Sequence, residues 1–110
     1  MKFRYEPAAR RELDDAMDFY DQQRIGLGDE FLDEVERAIA LLTENAKLGR
    51  GLPENHRFFL LFRFPYRLVY TLEDSGIRII AVAHQKRRPD YWRGRVEDPS
   101  PTYAILRQAA

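Results

Sequence analysis

The sequence contains no cysteine, which excludes disulfides and thiolate metal sites. Its two histidines, His56 and His84, lack partners at the spacing of a metal site, so we predict neither a metal ion nor a cofactor. Long apolar runs are also missing: the first residues contain no signal-peptide segment, and no stretch is long enough to span a membrane. We therefore expect a cytoplasmic protein without a membrane partner.

Catalytic motifs are equally scarce. The chain has two serines, Ser75 in a turn and Ser100 between prolines, so a serine nucleophile beside an oriented base is not expected. The glycines Gly26 and Gly28 join two helical segments and follow no strand, unlike the glycines of a phosphate-binding loop. These absences leave no standard hydrolase or nucleotide-binding motif.

Charge is balanced overall but separated along the chain. The 110 residues, enough for one domain, include 18 basic and 18 acidic side chains. Residues 1–47 contain 7 basic and 12 acidic side chains, a net −5, residues 48–96 contain 10 and 4, a net +6, and residues 97–110 contain 1 and 2, a net −1. Two solvated faces of different sign explain this pattern, and so does a basic working surface in the second half.

The acidic first half has the periodicity of two helices. Residues 2–6 alternate as a short strand that Pro7 ends, and apolar side chains then recur at helical spacing to about Arg24. After a break at residues 25–28, a second apolar stripe runs over residues 31–42 and fades near position 45. The short link predicts a helical hairpin whose apolar stripes cover a sheet.

The second half predicts strands. Residues 57–64, after a loop at residues 49–53, form an apolar run typical of a strand buried on both faces. Residues 66–72 and 77–84 are rich in branched and aromatic side chains, and the turn between them predicts a hairpin. The element order is then β-α-α-β-β-β, an α+β fold in which the helical hairpin packs on an antiparallel-rich sheet.

Basic and aromatic side chains concentrate on the third strand and at the end of the last one. They are Arg67, His84, Lys86, Arg87, Arg88, Tyr91 and Trp92. Guanidinium groups match phosphate and carboxylate oxygens, and aromatic rings stack on bases or fill interface pockets, which favours an anionic partner. A simpler interpretation places the cations in solvent, Trp92 over the core and His84 at a strand end, and the alternation leaves the side of the sheet occupied by Arg67 open.

Three segments resemble the RelE/ParE toxins. They are GDEFLDEVE at residues 28–36, FPYRLVY at residues 64–70 and AVAHQKRRPDYW at residues 81–92. The resemblance covers about residues 2–95 and implies a toxin domain over residues 1–96 followed by a tail at 97–110. It also implies a type II toxin–antitoxin system, in which a cognate antitoxin neutralises the toxin, often in plasmid stabilisation or stress response.

The family divides by target. RelE-like members cut messenger RNA on the ribosome, and in that branch Arg67, Arg87 and Tyr91 would be the catalytic residues. ParE-like members inhibit DNA gyrase and have no known hydrolytic site. The lysines that the nuclease branch carries before the turn are absent here, where Arg57 and Arg63 flank apolar residues.

We therefore favour the ParE-like branch over an enzyme. A ribosome-dependent endoribonuclease that uses Arg57 or Arg63 is the alternative, and a non-toxic interaction module is the third. The antitoxin is expected along the helical hairpin and sheet edge, with acidic groups on the basic cluster. Gyrase is expected on residues 84–92, with Tyr91 or Trp92 as aromatic anchor.

Overall fold

The computed structural model describes residues 2–95, so the tail at 97–110 lies outside the described residues. The elements are β1 Lys2–Tyr5, α1 Pro7–Gln23, α2 Leu27–Glu44, β2 Arg50–Gly51, β3 His56–Leu60, β4 Tyr66–Glu73 and β5 Gly76–His84. The predicted helical hairpin and the α+β class are confirmed. Within residues 2–95, no helix is long and apolar enough to cross a membrane.

The helices begin and pack as their sequences dictate. Pro7 occupies the first turn of α1, where its missing N–H costs nothing. Gly26 adopts a left-handed φ of 92° that lets the chain reverse before α2. A side chain at Gly28 would place its Cβ 2.5 Å from the Met17 carbonyl oxygen, so glycine permits the close approach of the two helices. The hairpin is therefore tight as well as amphipathic.

The five strands form one mixed sheet in the order β1-β5-β4-β3-β2. Strand β1 pairs parallel to β5, and the other neighbours pair antiparallel. The main core lies between the helices and one face of the sheet, called here the helix face. Its buried members are Ala9, Leu13, Ala16, Tyr20, Phe31, Val35, Ala38, Ile39, Leu42, Leu61, Phe64, Leu68, Tyr70, Ile77, Ile79 and Val82.

Two strand predictions were wrong. The loop predicted at residues 49–53 contains the short edge strand β2, so the described chain has one strand more than expected. The apolar run at 57–64 stays in a strand only to Leu60, and its side chains are partly rather than fully buried. The chain turns there because Leu61 and Phe64 enter the core, which leaves Phe62 98% exposed.

A second, smaller core covers the opposite face of the sheet, called here the open face. Its buried members are Val69, Ile80, Ala81, Ala83 and Trp92. Val69 pairs with Ala81 and Tyr70 with Ile79, so Ile80 is an extra residue in β5. This β-bulge turns both Ile80 and Ala81 towards the open face, and the chain after β5 folds back over them.

Candidate functional site

The segment after β5 begins with an exposed turn, residues 85–90, called here the basic turn. The Gln85 N–H donates to the Pro65 carbonyl oxygen at 2.8 Å, and the Arg87 N–H donates to the His84 oxygen at 3.0 Å. The side chains of Lys86, Arg87 and Arg88 are exposed. The structure thus gathers the three predicted cations on one short turn with an ordered backbone.

Trp92 lies beneath that turn and not on its surface. Its side chain is 1% exposed, and its ring lies 4.7 Å from the His56 ring in the core of the open face. Because a buried ring cannot meet a partner without unpacking the core, the hypothesis of Trp92 as an interface anchor does not suit this structure. Trp92 instead packs the segment onto the sheet, as in the simpler interpretation of the sequence.

Tyr91 and Arg95 bind a single carboxylate, that of Glu12 in α1. The Tyr91 hydroxyl donates to Glu12 Oε2 at 2.6 Å, and Arg95 reaches both oxygens, at 2.9 and 3.2 Å. Burial raises the pKa of Tyr91, and the hydrogen bond to Glu12 raises it further. Tyr91, which would be catalytic in a nuclease, is therefore a neutral hydrogen-bond donor to the Glu12 carboxylate.

Arg67 projects from the open face, which settles the side that alternation left undecided. Its Nη2 donates to the Pro89 carbonyl oxygen at 3.3 Å, and its guanidinium carbon lies 5.3 Å from the Phe58 ring centroid. Arg67 is partly buried and supports the backbone of the basic turn from below. Its first role is to position the turn.

His84 and Arg87 line a cleft of about 270 Å³ between α1 and the end of β5. The other lining residues are Glu12, Asp15, Ala16, Phe19, Tyr66 and Val82. His84 accepts the Lys86 N–H at Nδ1, at 3.0 Å, and its ring meets the edge of Tyr66 at 5.0 Å. His84 therefore shapes the base of the basic turn.

The predicted nuclease residues are only partly brought together. The guanidinium of Arg87 stacks on the Tyr91 ring at 3.9 Å, whereas Arg67 contacts Phe58 and Pro89. A tyrosine with a raised pKa that already donates to a carboxylate is poorly prepared to accept a proton. Residues 2–95 also contain no cluster of three His, Asp or Glu side chains that could hold a metal ion.

An apolar groove beside α2 was missed by the sequence reasoning. It measures about 380 Å³ and is lined by Glu34, Arg37, Ala38, Leu41, Phe59, Leu60, Leu61, Phe62 and Arg63. Leu41 and Leu60 are about half exposed, at 48% and 53%, and Phe62 is almost fully exposed. No local pattern marks the groove, because β3 ends at Leu60 and the turn that follows is fixed by the distant Glu34.

Glu34 holds that groove in shape. Its buried carboxylate accepts the backbone N–H groups of Phe62 and Arg63, and the latter contact is 3.0 Å long. A carboxylate that satisfies two backbone donors fixes the turn at residues 61–65. Phe62 is thereby presented on a rigid support.

Comparison with known proteins gives one family match and a similar solved structure. The family described as ParE toxin of type II toxin-antitoxin system, parDE, matches residues 3–89. A solved structure described as the chromosomal ParDE TA system from P. aeruginosa is similar, with a TM-score of 0.67 and 19% identity over 76% of this chain and 95% of that chain. This likeness concerns the fold alone. No curated protein matches the sequence.

Proposed function

The chain belongs to the ParE toxin family of type II toxin–antitoxin systems, and we propose that a cognate antitoxin neutralises it and that the free toxin inhibits DNA gyrase. Plasmid stabilisation is the role that accompanies this proposal. The observation that carries it is the basic turn, where three adjacent cations are exposed on a backbone fixed from several sides. Such a turn is suited to binding an acidic protein surface.

Preorganisation supports protein recognition by this turn. Pro65 and Arg67 hold its two ends, and Trp92 anchors the chain that follows. A fixed backbone lowers the entropy lost on binding, so the exposed cations keep more of their interaction energy. Arginine is also one of the residue types enriched among the hot spots of protein interfaces.

The same geometry weighs against RNA cleavage. Cutting a phosphodiester at its 2′-hydroxyl needs proton transfer and stabilisation of charge on the phosphate. Arg57 donates to the Gly49 carbonyl oxygen at 2.8 Å, and Arg63 pairs with Glu30 at 3.0 Å. Both arginines that were considered as substitutes for the missing lysines are thus engaged elsewhere.

We propose that the antitoxin binds the apolar groove beside α2 and not the basic turn. An amphipathic helix can bury its apolar face against Leu41, Leu60 and Phe62 while an acidic side chain meets the exposed Arg37. The groove and the basic turn lie at the same end of the sheet, because the turn at residues 61–65 enters β4 where β5 ends. An antitoxin in the groove would therefore obstruct gyrase by its bulk.

The test adds purified toxin to gyrase supercoiling reactions and, separately, to translating ribosomes. We expect inhibition of supercoiling with intact messenger RNA, relieved by the antitoxin encoded beside the toxin. Codon-spaced cleavage of messenger RNA would overturn the gyrase proposal in favour of the nuclease. Silence in both assays, together with no growth defect on expression, would favour the non-toxic module.

A further inference from the structure

The carboxylate of Glu12 joins α1 to three separate parts of the chain after residue 79. Its Oε1 accepts the Val82 N–H at 3.1 Å and Arg95 Nη1 at 2.9 Å, and its Oε2 accepts the Tyr91 hydroxyl. The same Arg95 nitrogen donates to the Ile80 carbonyl oxygen at 3.0 Å. One mostly buried acid therefore organises contacts that are 70 to 83 residues distant in sequence.

These contacts lie beyond the point where β5 stops pairing with β1. Strand β1 pairs with β5 only as far as Ile79, so beyond that residue the outer edge of β5 has no strand partner among residues 2–95. Glu12 and Arg95 satisfy the free Val82 N–H and Ile80 C=O groups at this edge. The side chains of Glu12 and Arg95 thus supply the hydrogen bonds that a neighbouring strand would make. They also connect the edge of β5 to the segment that follows the basic turn.

The contact chain continues from Glu12 to an exposed cation. Glu12 fixes the Tyr91 hydroxyl, and the guanidinium of Arg87 stacks on the Tyr91 ring at 3.9 Å. Arg87 has no hydrogen bond from its side chain among the contacts of residues 2–95, so the ring is the support that sets its direction. A shift of the ring would move the charge that Arg87 presents.

We propose that Glu12 is a positioning residue for target recognition, acting through Tyr91 on Arg87. The proposal rests on the proposed function of the basic turn and adds an internal residue that does not face the target. It requires that Glu12 govern the direction of Arg87 more than the stability of the fold. It also requires that binding at the apolar groove be insensitive to Glu12, since Glu34 organises that surface independently.

The experiment measures gyrase inhibition by Glu12→Gln, Arg87→Ala and the double variant, with Asp18→Asn as the control from the exposed face of α1. We expect each single change at Glu12 or Arg87 to weaken inhibition about 10-fold and the double variant to be no weaker than Arg87→Ala. Losses that multiply to about 100-fold in the double variant, or wild-type inhibition by Glu12→Gln, would overturn the proposal. Asp18→Asn should inhibit like the wild type.

A second variant and a second readout keep the test independent of folding and of gyrase. Tyr91→Phe keeps the ring and removes the hydroxyl, and we expect it to reproduce the Glu12→Gln loss while antitoxin affinity stays within about twofold. Amide exchange of residues 86–88 should accelerate about 10-fold in Glu12→Gln. If the wild-type toxin does not inhibit gyrase, the proposed function fails. The positioning role of Glu12 is refuted separately, by amide exchange of residues 86–88 that is the same in Glu12→Gln as in the wild type.

Discussion

The apolar groove and the basic turn are built alike but present opposite chemistry. Glu34 of α2 binds the backbone of the turn at residues 61–65, and Glu12 of α1 binds the segment that carries residues 85–90. The groove exposes leucine and phenylalanine, whereas the basic turn exposes lysine and arginine. Two acids of the helical half therefore act inside the fold, and each one fixes a surface of different chemistry.

The difference predicts different binding behaviour. Apolar burial contributes mainly to affinity and slow dissociation, which suits the antitoxin binding proposed for the groove. Exposed cations contribute more to the rate of encounter and to specificity, and salt screens them. Variants of the two surfaces should therefore separate antitoxin binding from target inhibition.

The largest effect is expected from Trp92→Ala, which removes the buried ring that packs the chain after the basic turn onto the sheet. Loss of a fully buried ring should lower the free energy of unfolding by about 3–5 kcal/mol, measured by urea denaturation. The control, Ile25→Ala, changes a side chain that is 93% exposed and should cost less than about 0.5 kcal/mol. A loss below about 1 kcal/mol for Trp92→Ala would restore Trp92 as a candidate contact residue.

Charge reversal on the basic turn should come next. Lys86→Glu combined with Arg88→Glu is expected to weaken gyrase inhibition about 100-fold, because two exposed cations become repulsive towards an acidic target. Antitoxin affinity should change less than about twofold. The matched control is Lys2→Glu with Arg11→Glu, which changes the net charge equally at exposed positions elsewhere. Equal losses in the two double variants would mean that net charge alone governs inhibition.

Phe62→Ser in the groove should have a smaller effect, and it should weaken antitoxin binding instead of gyrase inhibition. Removing this exposed ring should weaken antitoxin binding about 10-fold, measured by calorimetry, while inhibition of gyrase stays unchanged. Ile25→Ser is the control, since it removes a similarly exposed apolar side chain outside the groove. Wild-type antitoxin affinity in Phe62→Ser would place the antitoxin on another surface.

The smallest effect concerns salt. Raising sodium chloride from about 50 to about 200 mM shortens the screening length, so inhibition of gyrase should weaken several-fold. Antitoxin affinity, which depends on apolar burial, should change less than about twofold. A stronger salt dependence for the antitoxin than for gyrase would reverse the assignment of the two surfaces.

The elements were predictable where local periodicity decides them. The stripes of α1 and α2 and the β4–β5 hairpin follow from spacing and turn residues, and the structure confirms them. Strand β2 was missed because two residues carry no periodicity. The end of β3 was missed because the long-range contact between Glu34 and the turn at 61–65 decides where the strand stops.

The exposure of the cations was predictable from the sequence, but the contacts of Tyr91 and Trp92 were not. The cations of the basic turn are exposed, as a charged run after a strand suggests. Burial of Trp92 and binding of Tyr91 to Glu12 depend on how the chain folds back over the open face, which no local pattern encodes. Nothing in an acidic helix distinguishes Glu12 from its solvated neighbours until its distant partners are known.

The most direct test is residue-resolved amide hydrogen exchange of the toxin alone, with antitoxin and with gyrase. We expect the antitoxin to slow exchange over residues 59–63 and to leave residues 86–88 largely unchanged, whereas gyrase slows exchange over residues 86–88. Protection of residues 86–88 by the antitoxin alone, or no protection of them by gyrase, would contradict the claim that the two turns serve two partners.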